Sequence, residues 1–99
     1  MTPRLLLAAA LAAAPCAALS QDTAARSLAA SCAACHGTQG RSVSTEVVAL
    51  AGLPKEHIVS QMRAFKDGAR PATVMHQLAK GYTEQQIELI AGYFAAQER

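Results

Sequence analysis

The chain has little of what usually fills a protein core. Its 99 residues include no tryptophan, two tyrosines and two phenylalanines, and charged residues make up only 16%. The formal net charge of +2 is too small for a nucleic-acid-binding surface. A hydrophobic content of 52% excludes a disordered polar tail. Because a core of alanine and aliphatic residues alone would be thin at this size, the composition predicts stabilisation by a disulfide, a metal or a bound cofactor.

The beginning of the chain has the pattern of a secretory signal peptide. A basic residue precedes a run of leucine and alanine from Leu5 to Ala14, Pro15 interrupts this run, and small residues follow as far as Ser20. The run is shorter than the roughly 20 apolar residues that span a bilayer. We therefore predict a signal peptide at residues 1–20, an exported periplasmic domain at 21–99, and no membrane span in the mature chain.

Three details of this leader stay open. Cleavage after Ala18 and cleavage after Ser20 both fit the small residues at its end. Cys16 would be the anchor of a lipoprotein, although Pro15 stands before it where a small residue is usual. An uncleaved signal anchor is the third alternative.

Helical periodicity and capping residues predict an all-α domain with a helix at each end and a loop-rich middle. Pro54 suits the first turn of a helix, and Gly68 suits its end. Thr83 and Gln86 have the spacing of a capping box. The predicted elements are helices at about 22–35, 54–67 and 73–80, a loop at 41–53, and a last helix that begins at Thr83.

The spacing of apolar residues also predicts which side chains face the core. The first helix presents a stripe of Ala24, Leu28, Ser31, Cys32 and Cys35. The inward candidates of the loop are Val47, Val48, Leu50 and Leu53. The apolar stripe of the predicted helix at 54–67 consists of Ile58, Val59, Met62 and Phe65. The stripe of the last helix consists of Ile87, Ile90, Ala91 and Phe94.

One motif carries the chemistry. Cys32-Ala33-Ala34-Cys35-His36 is a C-x-x-C-H sequence, the attachment signature of c-type haem. Residues three and four apart share a face of a helix, so both thiols can reach one edge of a haem while His36 projects towards the iron. The two alanines leave that face uncrowded. The motif predicts one covalently attached haem c, with Cys32 and Cys35 as its thioether links and His36 as the proximal iron ligand.

Other chemistries use parts of this motif. A dithiol redox site of the thioredoxin type belongs near a βαβ pattern, and no strand is predicted before Cys32. A structural zinc site needs four ligands, and His57 and His76 could complete one, but they lack finger spacing. A disulfide between Cys32 and Cys35 has poor geometry within a helix. Because the motif, the leader and the thin core agree, the sequence favours haem.

The iron needs a sixth ligand or an open position. Met75 lies between chain-breaking residues, and a neutral thioether opposite histidine raises the reduction potential towards that of an electron carrier. Met75 is therefore the predicted distal ligand, and its alternative role is core packing with Leu78. Met62, His57 and His76 are the other candidates. Met62 lies on an apolar stripe that favours a core role, and His57 lies on a polar flank that favours solvent.

From these residues outward, the chain resembles the class I cytochromes c. The stretch C-A-A-C-H-G-T-Q-G-R-S carries the haem signature with its glycines, and the segments A-G-L-P, F-K-D-G and R-P resemble small periplasmic bacterial members. The most specific part is the run A-T-V-M at 72–75, A-K-G-Y at 79–82 and A-G-Y-F at 91–94. This run is similar to the cytochrome subunits of flavocytochrome c sulfide dehydrogenases.

The resemblance implies a fold, a ligand and a partner. The first and last helices of the family cross, which here would pack Ala24 and Leu28 against the last helix. The methionine that matches Met75 is the axial ligand. A backbone carbonyl of the loop accepts a hydrogen bond from the proximal imidazole, in the region of Thr45 and Val48, where related loops often contain prolines that this chain lacks. The partner would be a flavoprotein that oxidises sulfide.

The predicted function is therefore single-electron transfer by a periplasmic monohaem cytochrome, which is not an enzyme by itself although it could be the subunit of one. Two alternatives stay open: a free-standing shuttle to an oxidase or another dehydrogenase, and a haem sensor or peroxidase-like protein with an open iron. Arg70 and Lys80 are candidates for the haem propionates or for partner docking, against ordinary solvated surface.

Overall fold

The computed structural model describes the backbone of residues 14–99 and the side chains from residue 20 onwards. Its helices are α1 (Ala14–Ala30), α2 (Ala33–His36), α3 (Lys55–Asp67), α4 (Met75–Lys80) and α5 (Glu84–Ala95), and a 3₁₀ turn covers Thr38–Gly40. Within this part of the chain there is no strand, which confirms the all-α prediction. No helix in the described range is long and apolar enough to cross a membrane.

The first predicted helix has other boundaries than expected. Within the described residues it already runs from Ala14 rather than from near residue 22, in keeping with the high helix propensity of its many alanines. It ends at Ala30. The Cys32 amide then donates to the carbonyl of Ala29, three residues earlier, which is the spacing of a 3₁₀ turn rather than of an α-helix. The predicted leader lies mostly outside the described residues, so its cleavage stays a prediction.

The stripe predicted for α1 is also partly wrong. Ala24 is exposed, and the buried alanine is Ala29, with Leu28 half-buried against the core. Alanines occupy so many positions of α1 that the sequence has no contrast from which to choose the inward face. The packing of α1 against α5 is as expected, although Ala24 takes no part in the buried core.

Helix α3 follows the prediction closely. Pro54 is its N-cap, and Gly68 ends it in the left-handed conformation, where the Gly68 amide donates to the carbonyl of Phe65. Helix α5 begins with the predicted capping box: the Gln86 amide donates to the Thr83 hydroxyl at 3.1 Å, and the Thr83 amide donates to the Gln86 side chain at 2.9 Å. Such a cap stabilises a helix by about 1 kcal/mol.

The core is small and mostly aliphatic. Phe94 is its one fully buried aromatic side chain among the described residues, and Ile87 is the other large side chain that is fully buried. Leu28, Leu50, Leu53, Phe65 and Tyr82 pack against this cluster without being buried in it. The buried members are Ala29, Ile58, Val59, Met62, Ala79, Ile87, Ile90, Ala91 and Phe94.

The loop between α2 and α3 is attached to α5. The Gly40 carbonyl accepts from the amides of Leu50 and Ala51 at 2.8 and 3.2 Å, and the Gly52 amide donates to the Phe94 carbonyl at 2.9 Å. Leu50 and Leu53 pack on the core as predicted, but Val48 is 59% exposed, so its predicted inward orientation is wrong. The backbone carbonyl of Val48 instead lies within hydrogen-bond distance of the His36 imidazole.

Gly40 lies close to α5 at the start of this loop. Its φ is +78°, and a Cβ at this position would lie 2.8 Å from Cδ1 of Phe94 and 2.9 Å from the Ala51 amide nitrogen. Both distances are shorter than real Cβ contacts, and the Ala51 partner is backbone that cannot move aside alone. Only glycine fits here, because it has neither the steric restriction on φ nor the side chain.

We predict that Gly40→Ala lowers the free energy of unfolding of the haem-loaded protein by about 2–4 kcal/mol, because it combines backbone strain with overpacking against Phe94. The matched control is Gly68→Ala, whose φ is +79° but whose Cβ would meet nothing within 4 Å. The control should cost about 1 kcal/mol, from backbone strain alone. Denaturant unfolding measures both, and equal losses would contradict the packing argument.

Candidate functional site

The C-x-x-C-H motif occupies the turn between α1 and α2 and the whole of α2. The His36 amide donates to the Cys32 carbonyl at 2.9 Å, and the Cys35 amide donates to the same carbonyl at 3.3 Å. Cys32 and His36 are thus one helical turn apart, which places them on a shared face as predicted. Neither cysteine is in a disulfide; Cys32 is half-buried and Cys35 is exposed.

The imidazole of His36 is held by the loop. Its Nδ1 lies 2.7 Å from the carbonyl oxygen of Val48. A carbonyl only accepts hydrogen bonds, so Nδ1 carries a proton, and in the neutral imidazole this tautomer leaves Nε2 as the unprotonated nitrogen. An imidazole fixed in this tautomer is prepared to bind a metal through Nε2, with its ring orientation set by the second bond. The expected carbonyl acceptor is therefore present, and it belongs to Val48.

The environment of Cys32 does not suit thiol redox chemistry. Burial raises the pKa of the Cys32 thiol, nearby Cys35 raises it further, and a hydrogen bond with Ser31 opposes them. Reactive cysteines of C-x-x-C redox sites have a lowered pKa, since the thiolate is the nucleophile. The part of the chain that the structure describes also has no group of three or more histidine, cysteine or acidic side chains placed to hold a metal. The raised pKa of Cys32 disfavours the thiolate on which the thiol redox alternative depends.

Met75 is brought to the same core as the motif. Met75 and Cys32 are both partly buried and both pack against the buried cluster. The hydroxyls of Ser31 and Tyr82 share a hydrogen bond at 3.3 Å, which ties the residue before Cys32 to the segment after α4. The Lys66 ammonium group donates to the Tyr82 carbonyl and links this segment to α3 as well. These contacts join the segment that follows α4 to the residue before the motif and to α3.

The other candidate ligands have different surroundings. Met62 is only 8% exposed within the core, as its apolar stripe predicted. His57 is exposed on α3, as expected for the polar flank. His76 is half-buried, and its buried Nδ1 has no hydrogen-bond partner. Arg70 is exposed: its guanidinium lies over the Phe65 ring, 4.8 Å from the centroid, and it donates to the Gln61 side chain.

Sequence reasoning located one part of this site only to a region and missed another. The carbonyl that holds His36 was expected near Thr45 and Val48, but any residue type supplies a carbonyl, so no residue pattern could single out Val48. The bond between Ser31 and Tyr82 joins positions 51 residues apart, and no local sequence pattern predicts a polar contact between them. Tyr82 stands immediately before the Thr83 cap, where a hydrophobic staple residue packs against the helix, so its position indicates packing rather than a polar contact.

Comparison with known proteins finds similarity to cytochromes and to an electron acceptor of a dehydrogenase. The chain is 48% identical over 67 residues to the cytochrome subunit of sulfide dehydrogenase from Chlorobaculum tepidum, covering 68% of this chain and 60% of that protein. It is 41% identical over 68 residues to a thiosulfate dehydrogenase electron acceptor from Thiomonas intermedia, and the match covers 68% of this chain and 31% of that protein. It is 34% identical over 70 residues to cytochrome c-554(548) from Halomonas halodenitrificans, and the match covers 68% of this chain and 84% of that protein. No protein-family profile matches the chain.

The chain belongs to the class I cytochromes c, as its haem signature and all-α fold indicate. It matches three fifths of the length of the sulfide dehydrogenase subunit and about a third of the thiosulfate dehydrogenase electron acceptor. Membership of this family implies a covalently bound haem c.

The residues present fit such a group. Haem c requires two thiols, a nitrogen ligand on their face and an apolar surrounding. The structure supplies two free cysteines in C-x-x-C spacing, an imidazole with Nδ1 already engaged, and a thioether against the same core. The fit also explains why so few aromatic side chains suffice, because a buried porphyrin supplies the apolar bulk that they would otherwise provide.

Proposed function

We propose that this chain is a periplasmic monohaem cytochrome c that carries single electrons. Cys32 and Cys35 hold the haem through thioether bonds, His36 binds the iron on one side and Met75 binds it on the other. The observation that supports this most strongly is the hydrogen bond from His36 Nδ1 to the Val48 carbonyl, which leaves Nε2 for the iron. The single C-x-x-C-H motif in the chain supports one haem.

The protein's contribution is to fix ligands and exclude water. When bound, the haem supplies the one-electron couple. The Val48 carbonyl orients His36, and Met75 packs against the same core as Cys32. A thioether ligand is neutral and favours the reduced state, which raises the potential. The exposed side of α2 near Cys35 is where an edge of the haem would be accessible to electron transfer.

A sulfide-oxidising flavoprotein is the proposed electron donor. The name of the relative from Chlorobaculum tepidum, a subunit of sulfide dehydrogenase, supports such a partner, and the chain itself would then be the electron-carrying subunit rather than the catalytic one. A second candidate is a shuttle for a thiosulfate-oxidising enzyme, which the name of the Thiomonas intermedia relative favours. The predicted signal peptide supports export to the periplasm in both cases.

We predict that Met75→Ala abolishes the sulfur-to-iron charge-transfer band of the oxidised, exported protein and lowers its reduction potential, because the thioether ligand is lost. The matched control is Met62→Ala, since Met62 is a methionine of the same chain buried in the core. The control should keep the band and lose about 2–5 kcal/mol of stability instead.

Optical spectroscopy decides between the two methionines. A band that survives Met75→Ala would contradict the assigned ligand. Strong binding of carbon monoxide by the reduced wild-type protein would indicate an open iron position and favour a haem sensor over an electron carrier.

We predict that the purified protein is reduced by a sulfide-oxidising flavoprotein in the presence of sulfide, and that the two form a complex. Stopped-flow absorbance at the haem bands measures the reduction, and analytical ultracentrifugation measures the complex. Reduction by a thiosulfate-oxidising enzyme but not by the flavoprotein would shift the assignment to the second candidate. A protein that neither bound nor accepted electrons from either enzyme would contradict both.

A further inference from the structure

The loop at residues 41–49, which carries the Val48 carbonyl, is held at its base but gains little from burial. The Gly40 carbonyl accepts from the Leu50 and Ala51 amides and so closes the loop. Between these ends most of the residues are exposed to solvent. Because hydrophobic packing does little to hold the loop, its few polar contacts decide where the Val48 carbonyl lies.

Arg41, the first residue of this loop, bonds to the end of the chain. Its Nε donates to the Glu98 carbonyl at 2.8 Å, and its guanidinium also donates to the side-chain oxygen of Gln39. The other side-chain hydrogen bonds of the loop, within the described part of the chain, stay inside the loop. A charged donor makes a stronger hydrogen bond than a neutral one. Arg41 is therefore the side chain that fastens the loop to another part of the fold.

The acceptor of this bond is itself held in place. Glu98 follows the last turn of α5, where the Gln97 amide donates to the Phe94 carbonyl at 3.1 Å. The Gln97 side chain also donates to the Tyr93 carbonyl at 2.8 Å. The backbone that presents the Glu98 carbonyl is thus joined to α5, the helix that supplies much of the core. It offers Arg41 a fixed partner.

Serine turns carry the position of Arg41 along the loop. The Ser44 amide donates to the Ser42 hydroxyl at 3.2 Å, and the Glu46 amide donates to the Ser44 hydroxyl at 3.1 Å. Turns of this kind restrict the backbone, because the side chain takes the place of a backbone partner. They extend from the residue after Arg41 to a residue only two positions before Val48. A displacement of Arg41 would therefore move the carbonyl that accepts from His36.

We propose that Arg41 is a positioning residue for the His36 imidazole. By donating to the Glu98 carbonyl, it keeps the loop where the Val48 carbonyl can accept from Nδ1. This inference rests on the proposed function, in which His36 is the proximal iron ligand. A bond from the second ring nitrogen sets the orientation and basicity of such a ligand. Arg41 acts on the ligand through the loop, by way of a backbone carbonyl.

Hydrogen exchange of the Nδ1 proton of His36 tests this role. It is measured by NMR in the reduced, haem-loaded protein, beside the amide protons of Ile90 and Ala91, which are buried in α5. The ring proton exchanges when the loop opens locally, whereas the core amides need a larger opening. Arg41→Gln should speed exchange of the ring proton by about three- to tenfold and leave the two amides at the wild-type rate. Equal acceleration of all three protons would indicate lower global stability and overturn the positioning role.

Two control variants separate the hydrogen bond from a change in charge. Arg26→Gln removes an exposed arginine of α1 and changes the net charge by the same amount. Glu98→Gln removes a carboxylate but keeps the backbone carbonyl that accepts from Arg41. Both controls should leave exchange of the His36 ring proton at the wild-type rate. An Arg26→Gln variant as fast as Arg41→Gln would overturn the proposal, and so would an equally fast Glu98→Gln variant.

The other end of the contact gives a second measurement. Relaxation of ¹⁵N reports motion of the Glu98 amide on the picosecond-to-nanosecond timescale. We expect its order parameter to be lower in Arg41→Gln than in the wild type, because the Glu98 carbonyl loses its donor. A Glu98 amide that is equally mobile in both proteins would overturn the contact on which the proposal depends.

The optical spectrum distinguishes failure of this inference from failure of the proposed function. A wild-type chain exported without covalent haem would overturn both. A normal haem spectrum, together with ring-proton exchange that Arg41→Gln leaves unchanged, would overturn the role of Arg41 alone.

Discussion

The hydrogen bond from His36 Nδ1 to the Val48 carbonyl is the constraint on which the site depends. It selects one tautomer of the imidazole, and it fixes the ring while leaving Nε2 available. A single helical turn carries both cysteines and this histidine, but it cannot orient the ring by itself. The orientation comes from a loop twelve residues further along the chain, so the geometry of that loop becomes part of the ligand geometry.

That loop is in turn held by the last helix. Gly40 packs against Phe94, Gly52 donates to the Phe94 carbonyl, and Arg41 donates to the Glu98 carbonyl at 2.8 Å. Phe94 is also the largest side chain buried in the core. Packing of α5 and orientation of the imidazole are therefore mechanically connected. A protein with so few aromatic residues uses this one for both purposes, and a covalently attached haem adds the remaining apolar volume.

Much of the fold could be predicted from the sequence, because its signals are local. The capping box at Thr83 and the glycine that ends α3 are where their residue types indicated. The inward face of α1 was mispredicted, because alanine gives no contrast between faces, and Val48 was mispredicted because the loop uses its carbonyl rather than its side chain. The C-x-x-C-H motif indicated three of the proposed haem contacts from spacing alone. The link between the start of the motif and the segment after α4 depends on a contact far apart in sequence, that between Ser31 and Tyr82.

The central claim, that the motif holds one covalent haem, is tested most directly by mass spectrometry of the exported protein. Trypsin cleaves after Arg26 and Arg41, so Cys32, Cys35 and His36 fall in the single peptide 27–41. The account predicts that this peptide carries the added mass of one haem and that no other peptide does. A peptide 27–41 with two free thiols or an internal disulfide, recovered from protein exported by cells competent to attach haem, would contradict it.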